Sequence, residues 1–296
     1  MGKAEYEVSL LFGMLRIRMI SDLPLIITKE VQSFCADAEE TDVTIRIKEM
    51  QTQISLPKNK VGEDLLLEYY YEKGFFLAAA KRGTKSAATI VIYTSDFFEV
   101  VFYVNEKEFP GMIRKVSKIL QLLPIRQLLM KYHMMLLHSS RISLKGKAII
   151  FTAPSQTGKT TQARLWKKHE SAEIVSNDRS LLLKESGGFS TCGYPVDGSM
   201  PVYSNRKLPL GAIVVLCQGT ENHVTRLSAG KALKYLMEQT VADAWNTEEL
   251  SALRMMWIDL LEQYPVYQLL CTPDQKAVFC LKKQLEKDGV ISFADN

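Results

Sequence analysis

The chain has 296 residues, 47% hydrophobic and 24% charged, an ordinary globular composition with enough length for two domains. A net charge of +4 is too mild to argue for nucleic acid, and no basic stripe with interleaved aromatics accompanies it. Five dispersed cysteines (Cys35, Cys192, Cys217, Cys271, Cys280) form no C-x-x-C pair and suggest neither a zinc site nor a disulfide framework.

Residues 1–107 read as a smaller, strand-rich α+β domain. Leu15–Ile20 and Val43–Ile47 alternate apolar and charged residues, the mark of a half-buried strand. Leu66–Tyr71, Ala88–Tyr93 and Glu99–Val104 continue the series, with turns at Pro57–Asn59, Glu72–Gly74 and Arg82–Gly83. An antiparallel meander with one covered face is expected. Tyr69–Tyr71 are expected as strand residues beside an exposed edge rather than as a binding surface. Early acidic residues Glu5 and Glu7 do not suit a cleavable signal. With the cysteine usage, a reducing, cytoplasmic setting is expected.

Residues 108–133 are read as a helical connector broken at Pro124, with Ile113, Val116, Ile119, Leu120 and Leu123 on its core face. Ile119–Leu137 is the longest apolar stretch, but Pro124, Arg126, Lys131 and His133 interrupt it, so no membrane span is expected.

Residues 134–296 are read as an α/β domain. Met134–His138 and Ser139–Gly146 suggest two strands, and Ala148–Phe151 a short buried one. Then comes Ala153-Pro-Ser155-Gln156-Thr157-Gly158-Lys159-Thr160-Thr161, followed by a helix-like run to Lys168 with Ala163 and Trp166 on one face. Strand, loop and helix N-terminus together present backbone N–H groups to phosphate oxygens. Ser155 to Thr161 are the expected phosphate-binding residues. Lys159 would reach the β/γ-phosphates of ATP and Thr160 would ligate Mg²⁺. Ala153 stands where the Walker pattern has Gly, which requires backbone angles that a Cβ tolerates there.

Beyond the loop, Ala172–Val175 is a short strand ending at Asn177-Asp178. Ser180–Glu185 and Phe189–Cys192 form a hairpin, and Ala212–Cys217 and Val224–Leu227 are strands. Ala229–Gln239 and Thr247–Gln263 are helices, and Val266–Cys271 is a last strand. A capping box of Thr272 and Gln275, with Pro273 at the first helical position, is expected to open the final helix. Cys217, Cys271 and Cys280 lie in apolar runs, where a small buried hydrophobe is the plain reading.

Asp178, at the strand end where open α/β sheets place ligands, is the candidate base and metal ligand. His138 ends an apolar strand just before the loop. Asp197 lies in a Gly- and Pro-bearing loop that could close over a substrate. Arg206 could meet transferred phosphate charge through its planar fork, or be a surface residue on a connecting loop.

His138, the A-P-S-Q-T-G-K-T-T loop, Asn177-Asp178, the Gly193-x-Pro195 loop and Asn205-Arg206-x-x-Pro209-Leu210 together resemble the HPr kinase/phosphorylase family over roughly residues 134–285. The last two segments resemble more closely a branch of that family similar to kinases of serine in small peptides or as a free amino acid. The resemblance implies a P-loop domain with mixed sheet, of the fold shared with phosphoenolpyruvate carboxykinase. It implies ATP and Mg²⁺ as cofactors, Asp178 as base and metal ligand with Thr160, and Lys159 and His138 in the same catalytic pocket. It also implies a serine-bearing peptide, protein or small molecule as acceptor. Asn177 in place of a first aspartate, and Thr161 in place of Glu, turn the expectation away from phosphorylase activity and from HPr itself. Neither nucleic acid nor membrane is an expected partner, and homo-oligomerisation is compatible with the sequence. A nucleotide-sensing protein with little or no catalysis is the alternative. A carboxykinase-like enzyme is a third reading, disfavoured by the lack of a His/Asp/Lys cluster for a second metal.

Overall fold

The computed structural model describes residues 5–37, 40–80, 87–111, 113–195, 202 and 204–292. Two units divide the chain: Met1–Tyr132 with Asp243–Leu250, and His133–Ala242 with Ser251–Asn296. The expected turn at Arg82–Gly83 lies outside the described residues.

The first unit holds one eight-stranded sheet. Its strands are β1 (Tyr6–Phe12), β2 (Leu15–Ser21), β3 (Val43–Glu49), β4 (Lys60–Glu63), β5 (Leu67–Glu72), β6 (Phe75–Ala80), β7 (Thr89–Thr94) and β8 (Val100–Val104). Alternation does what the sequence promised: Leu15, Ile17 and Met19 of β2 and Val43, Ile45 and Ile47 of β3 are buried. The simple meander is corrected. Strand order is β1-β2-β3-β8-β7-β6-β5-β4, so only β4 to β8 run as an antiparallel meander. The pairs β2–β3 and β3–β8 are parallel. Parallel neighbours need a crossover, and residues 22–42, including the short α1 (Lys29–Gln32), supply the one between β2 and β3. In the Tyr run, Tyr69 and Tyr70 are buried and Tyr71 is exposed, as strand residues one place in from the edge.

Two helices, α2 (Val116–Gln121) and α3 (Ile125–Lys131), fall within this first unit. Pro124 separates them, having no N–H to continue α2 and standing as N-cap of α3. Ile113, Val116, Ile119, Leu120 and Leu123 are all buried, as their spacing predicts.

The second unit is α/β with a second eight-stranded mixed sheet. Its strands are β9 (Met134–Leu144), β10 (Lys147–Thr152), β11 (Glu173–Ser176), β12 (Arg179–Glu185), β13 (Gly188–Cys192), β14 (Leu208–Gln218), β15 (His223–Arg226) and β16 (Val266–Cys271). Its helices are α4 (Lys159–Glu170), α5 (Ala229–Gln239) and α7 (Gln275–Lys287). The helix α6 (Thr247–Gln263) begins on residues of the first unit and continues into the second. The two strands expected over 134–146 are one. β9 is continuous and lies between β12, which pairs with Met134–His138 on one edge, and β10, which pairs with Ser139–Leu144 on the other. β10 sits between β9, antiparallel, and β14, parallel.

The core between this sheet and α4 includes Ile142, Ile149, Phe151, Ala163, Trp166 and Leu281. Trp166 is fully buried, its ring centroid 6.4 Å from that of Phe151. Burial of side chains this large, each worth roughly 1.5–3 kcal/mol, fixes α4 over β10 and so fixes the loop between them. The expected capping box at α7 is corrected. Asp274 is the N-cap, accepting from the N–H groups of Lys276 and Ala277, and Pro273 lies outside the helix. A carboxylate at that place satisfies two orphan donors and faces the positive helix end, which Thr272 two residues earlier cannot do. Thr272 instead donates its hydroxyl to Asp274 Oδ2 at 3.0 Å.

Candidate functional site

β10 ends at Thr152 and α4 begins at Lys159, so Ala153–Gly158 form the loop that the sequence pattern requires. Left-handed backbone falls at Gln156 (φ 65°) and at Gly158 (φ 115°), the N-cap of α4. Ala153 is not among the positive-φ residues, and its methyl is buried in the core with Phe151, Ala163 and Trp166. Alanine at the loop start therefore carries no strain. The first helical bond runs from Gln162 N to Gly158 O at 2.9 Å. The amides of Lys159, Thr160 and Thr161 are thus left over by the helix, at its positive end.

Lys159 is 7% exposed. Its Nζ donates to the carbonyls of Ala153 at 2.8 Å and Pro154 at 3.1 Å, which folds the side chain back across the loop. An ammonium has three donors, so one remains. Burial lowers its pKa from the ordinary 10.5, and the Asp178 carboxylate works against that shift. Thr157 Oγ1 donates to Pro154 O at 2.9 Å and stiffens the turn. Ser155, Gln156 and Thr161 are exposed, and Thr160 is half-buried at the helix start.

Asp178 and His138 meet where pairing with β12 ends on one edge of β9 and pairing with β10 begins on the other. His138 pairs in register with Arg179, and the next residue, Ser139, pairs with Thr152 at the mouth of the loop. The turn carrying Asp178 is pinned there, because its carbonyl accepts from Ser139 N at 3.0 Å and lies 3.0 Å from His138 Nδ1. His138 Nδ1 also stands 3.6 Å from Asp178 Oδ1. Burial and then the Lys159 charge lower the His138 pKa from the ordinary 6.5, while Asp178 opposes them. That direction favours the neutral imidazole. Since a carbonyl only accepts, Nδ1 carries the proton and Nε2 keeps its lone pair. Thr152 Oγ1 donates to His138 O at 2.8 Å and joins the two strand ends.

Lys159, His138 and Asp178 thus form one electrostatically linked cluster beside the loop. Sequence reasoning missed Thr152, Ser139 and Arg179 around it. The last places its Nε 3.7 Å from Asp178 Oδ2. Adjacency to Asp178 in the chain was the available signal for Arg179.

Other expected residues go elsewhere. Asp197 lies outside the described residues. Arg206 is exposed and holds Glu173 at 2.5 Å. Glu173 pairs with Ser143, which itself pairs with Ala148 near the start of β10, the end away from the loop. The surface reading of Arg206 is the one that fits. Asn177 is buried with Oδ1 3.5 Å from the Ser140 hydroxyl, so Asp178 is the one carboxylate of that pair. Cys217, Cys271 and Cys280 are partly rather than fully buried, being near strand ends or on a helix flank. None of the five cysteines forms a disulfide.

No cluster of three or more His, Cys, Asp or Glu side chains suited to a metal occurs among the described residues. Magnesium does not need one. It is commonly held by one or two protein oxygens, with phosphate and water completing the shell. The hydroxyl of Thr160 and the carboxylate of Asp178 are hard oxygen donors of that kind. Among the described residues no helix is long and apolar enough to cross a membrane.

No curated protein sequence matches the chain. Among solved structures, it is similar to the Hpr(Ser) kinase/phosphatase from Coxiella burnetii, with a TM-score of 0.32 and 7% identity, over 52% of this chain and 98% of that one. A likeness this slight bears on neither fold nor function. The model of the SynChlorMet cassette protein ScmC family matches residues 105–272, more than half of the chain. The chain belongs to the ScmC family.

Proposed function

We propose that the second unit is an ATP- and Mg²⁺-dependent kinase that transfers the γ-phosphoryl group to a hydroxyl, with a serine-bearing peptide, protein or small molecule as acceptor. One observation carries this reading: a buried lysine folded over a strand-loop-helix turn, with the Asp178 carboxylate near enough to act on its ammonium. The amides of Lys159, Thr160 and Thr161 and the remaining Lys159 donor bind the phosphates. Thr160 and Asp178 would hold a magnesium ion, which would supply positive charge against that of the phosphates. The free oxygen of Asp178 takes the proton of the acceptor hydroxyl as the new P–O bond forms and the bond to the bridging oxygen breaks, releasing ADP. His138, whose Nε2 can accept, orients that hydroxyl.

The test uses labelled ATP with free serine and short serine-bearing peptides. Asp178→Asn is expected to lower transfer by roughly 10²–10⁴-fold while nucleotide binding persists. Lys159→Met is expected to abolish binding. Equal transfer by wild type and Asp178→Asn removes the role assigned to that carboxylate. The buried, hydrogen-bonded Asn177 favours a second reading, a nucleotide sensor with little turnover. Tight ATP binding with no transfer to any acceptor supports it.

A further inference from the structure

We propose that Arg179 supplies the guanidinium that meets the transferred phosphoryl group, a further catalytic residue standing where sequence reasoning had offered Arg206. The proposal rests on the nucleotide reading above and adds to it the cation that completes the site.

Lys159 alone is a poor match for the charge to be held. Two of its three donors are engaged by the loop's own carbonyls, so it offers the phosphates a single N–H. The transferring phosphoryl spreads negative charge over three oxygens, which a planar fork with several donors suits better than one ammonium proton.

Register places Arg179 on the correct side of the sheet. It pairs with His138, and paired residues of adjacent strands share a face. Counting by twos along β9 from His138 reaches Ile142 and Leu144, which belong to the core that packs under α4. Arg179 therefore emerges on the face that carries the phosphate-loop helix. The ammonium of Lys159 and the guanidinium of Arg179 both lower the pKa of His138, so both lie within electrostatic range of one imidazole.

The guanidinium is also available. Its side chain is 35% exposed, and its ion pair with Asp178 is long, 3.7 Å from Nε. A half-exposed pair at that distance holds its partner weakly, so turning the fork toward phosphate loses little. Arg206 differs in each respect, being engaged with Glu173 at 2.5 Å and lying near the opposite end of β10. Arg179 forms no covalent bond in the step. The phosphorus passes from the bridging oxygen to the acceptor oxygen, and the proton passes to Asp178.

The decisive experiment is calorimetry on the full chain with Mg·ADP, alone and with aluminium fluoride as mimic of the phosphoryl group in flight. Wild type, Arg179→Gln, Arg179→Lys and Arg206→Gln are compared. All four are expected to bind Mg·ADP alike, which also reports that each is folded. Aluminium fluoride is expected to tighten binding in wild type and Arg206→Gln, and the gain is expected to fall by at least about tenfold in Arg179→Gln, the direction set by arginine contacts to phosphoryl transition states. Arg179→Lys recovers part of it. An equal gain in Arg179→Gln, or none in wild type, overturns the assignment while leaving nucleotide binding intact. Failure of wild type to bind Mg·ADP at all sinks the nucleotide reading itself, and this proposal with it.

Discussion

Gly158 shows how one backbone angle controls the site. Its φ of 115° belongs to a region that side-chain-bearing residues rarely adopt, yet no heavy atom lies within 4 Å of where a Cβ would be. Conformation, and not crowding, is what requires glycine there. Gly158→Ala is therefore expected to strain the turn by about 1–2 kcal/mol, and to weaken Mg·ATP binding on the order of tenfold as the following amides lose alignment. Calorimetry checks this, and unaltered affinity with an unaltered melting point contradicts it. The loop's Gly-Lys-Thr was legible in the sequence because the spacing itself is the chemistry. Ala153 was harder to weigh. It reads as the loss of a needed glycine, but the left-handed turn falls at Gln156 instead, and the methyl joins the core. Arg179 and Arg206 could not be ranked from sequence, since both are arginines next to polar turns. Pairing with His138 in one case and with Glu173 in the other separates them.

Strands and helices were visible wherever a period was clean. Leu15–Ile20, Val43–Ile47 and the Ala163/Trp166 face of α4 bury the residues that their spacing selected. Strand direction was not visible, because alternation is the same in parallel and antiparallel pairs. Only the crossover through residues 22–42 makes β2 and β3 parallel. The continuous β9 was split because His138 and Ser139 break an apolar run, at the point where pairing with β12 ends on one edge and pairing with β10 begins on the other. The helix α7 shows a local rule misapplied: Thr272 and Gln275 match a capping pattern, but Asp274 binds the free amides. Asp274→Ala is accordingly expected to lower the melting temperature by a few degrees, while Gln275→Ala leaves it in place. The reverse order in thermal denaturation rejects this assignment of the cap.

The least legible feature is that Asp243–Leu250 belong to the first unit, although more than a hundred residues separate them from its sheet. Their anchor is a polar cluster that no sequence period announces. Arg126 ion-pairs with Asp64 and also reaches Asp243 at 2.5 Å. The Trp245 ring lies 4.8 Å from that of Tyr69 and occupies the space where a Cβ on Gly62 would stand, 2.1 Å from Cδ2. Glu249, 6% exposed, accepts from Asp243 N at 3.3 Å. Burial, and then the charge of Asp243, push its pKa from the ordinary 4.5 up to about 7, against the pull of Arg126. Burial raises Asp243 in the same direction. For an acid whose folded pKa is raised, the folded state keeps the proton longer than the unfolded state does. Stability is then full below the unfolded value, declines as pH climbs from 4.5 to about 7, and levels off above that. The loss attributable to Glu249 has a ceiling of roughly 3 kcal/mol. Glu249→Gln keeps an oxygen for Asp243 N but cannot ionise. It is expected to be more stable than wild type at about pH 8, the advantage shrinking toward the acid end of that window. Urea denaturation across the range measures both chains, and a variant whose stability falls in parallel with wild type shows that the dependence comes from another group.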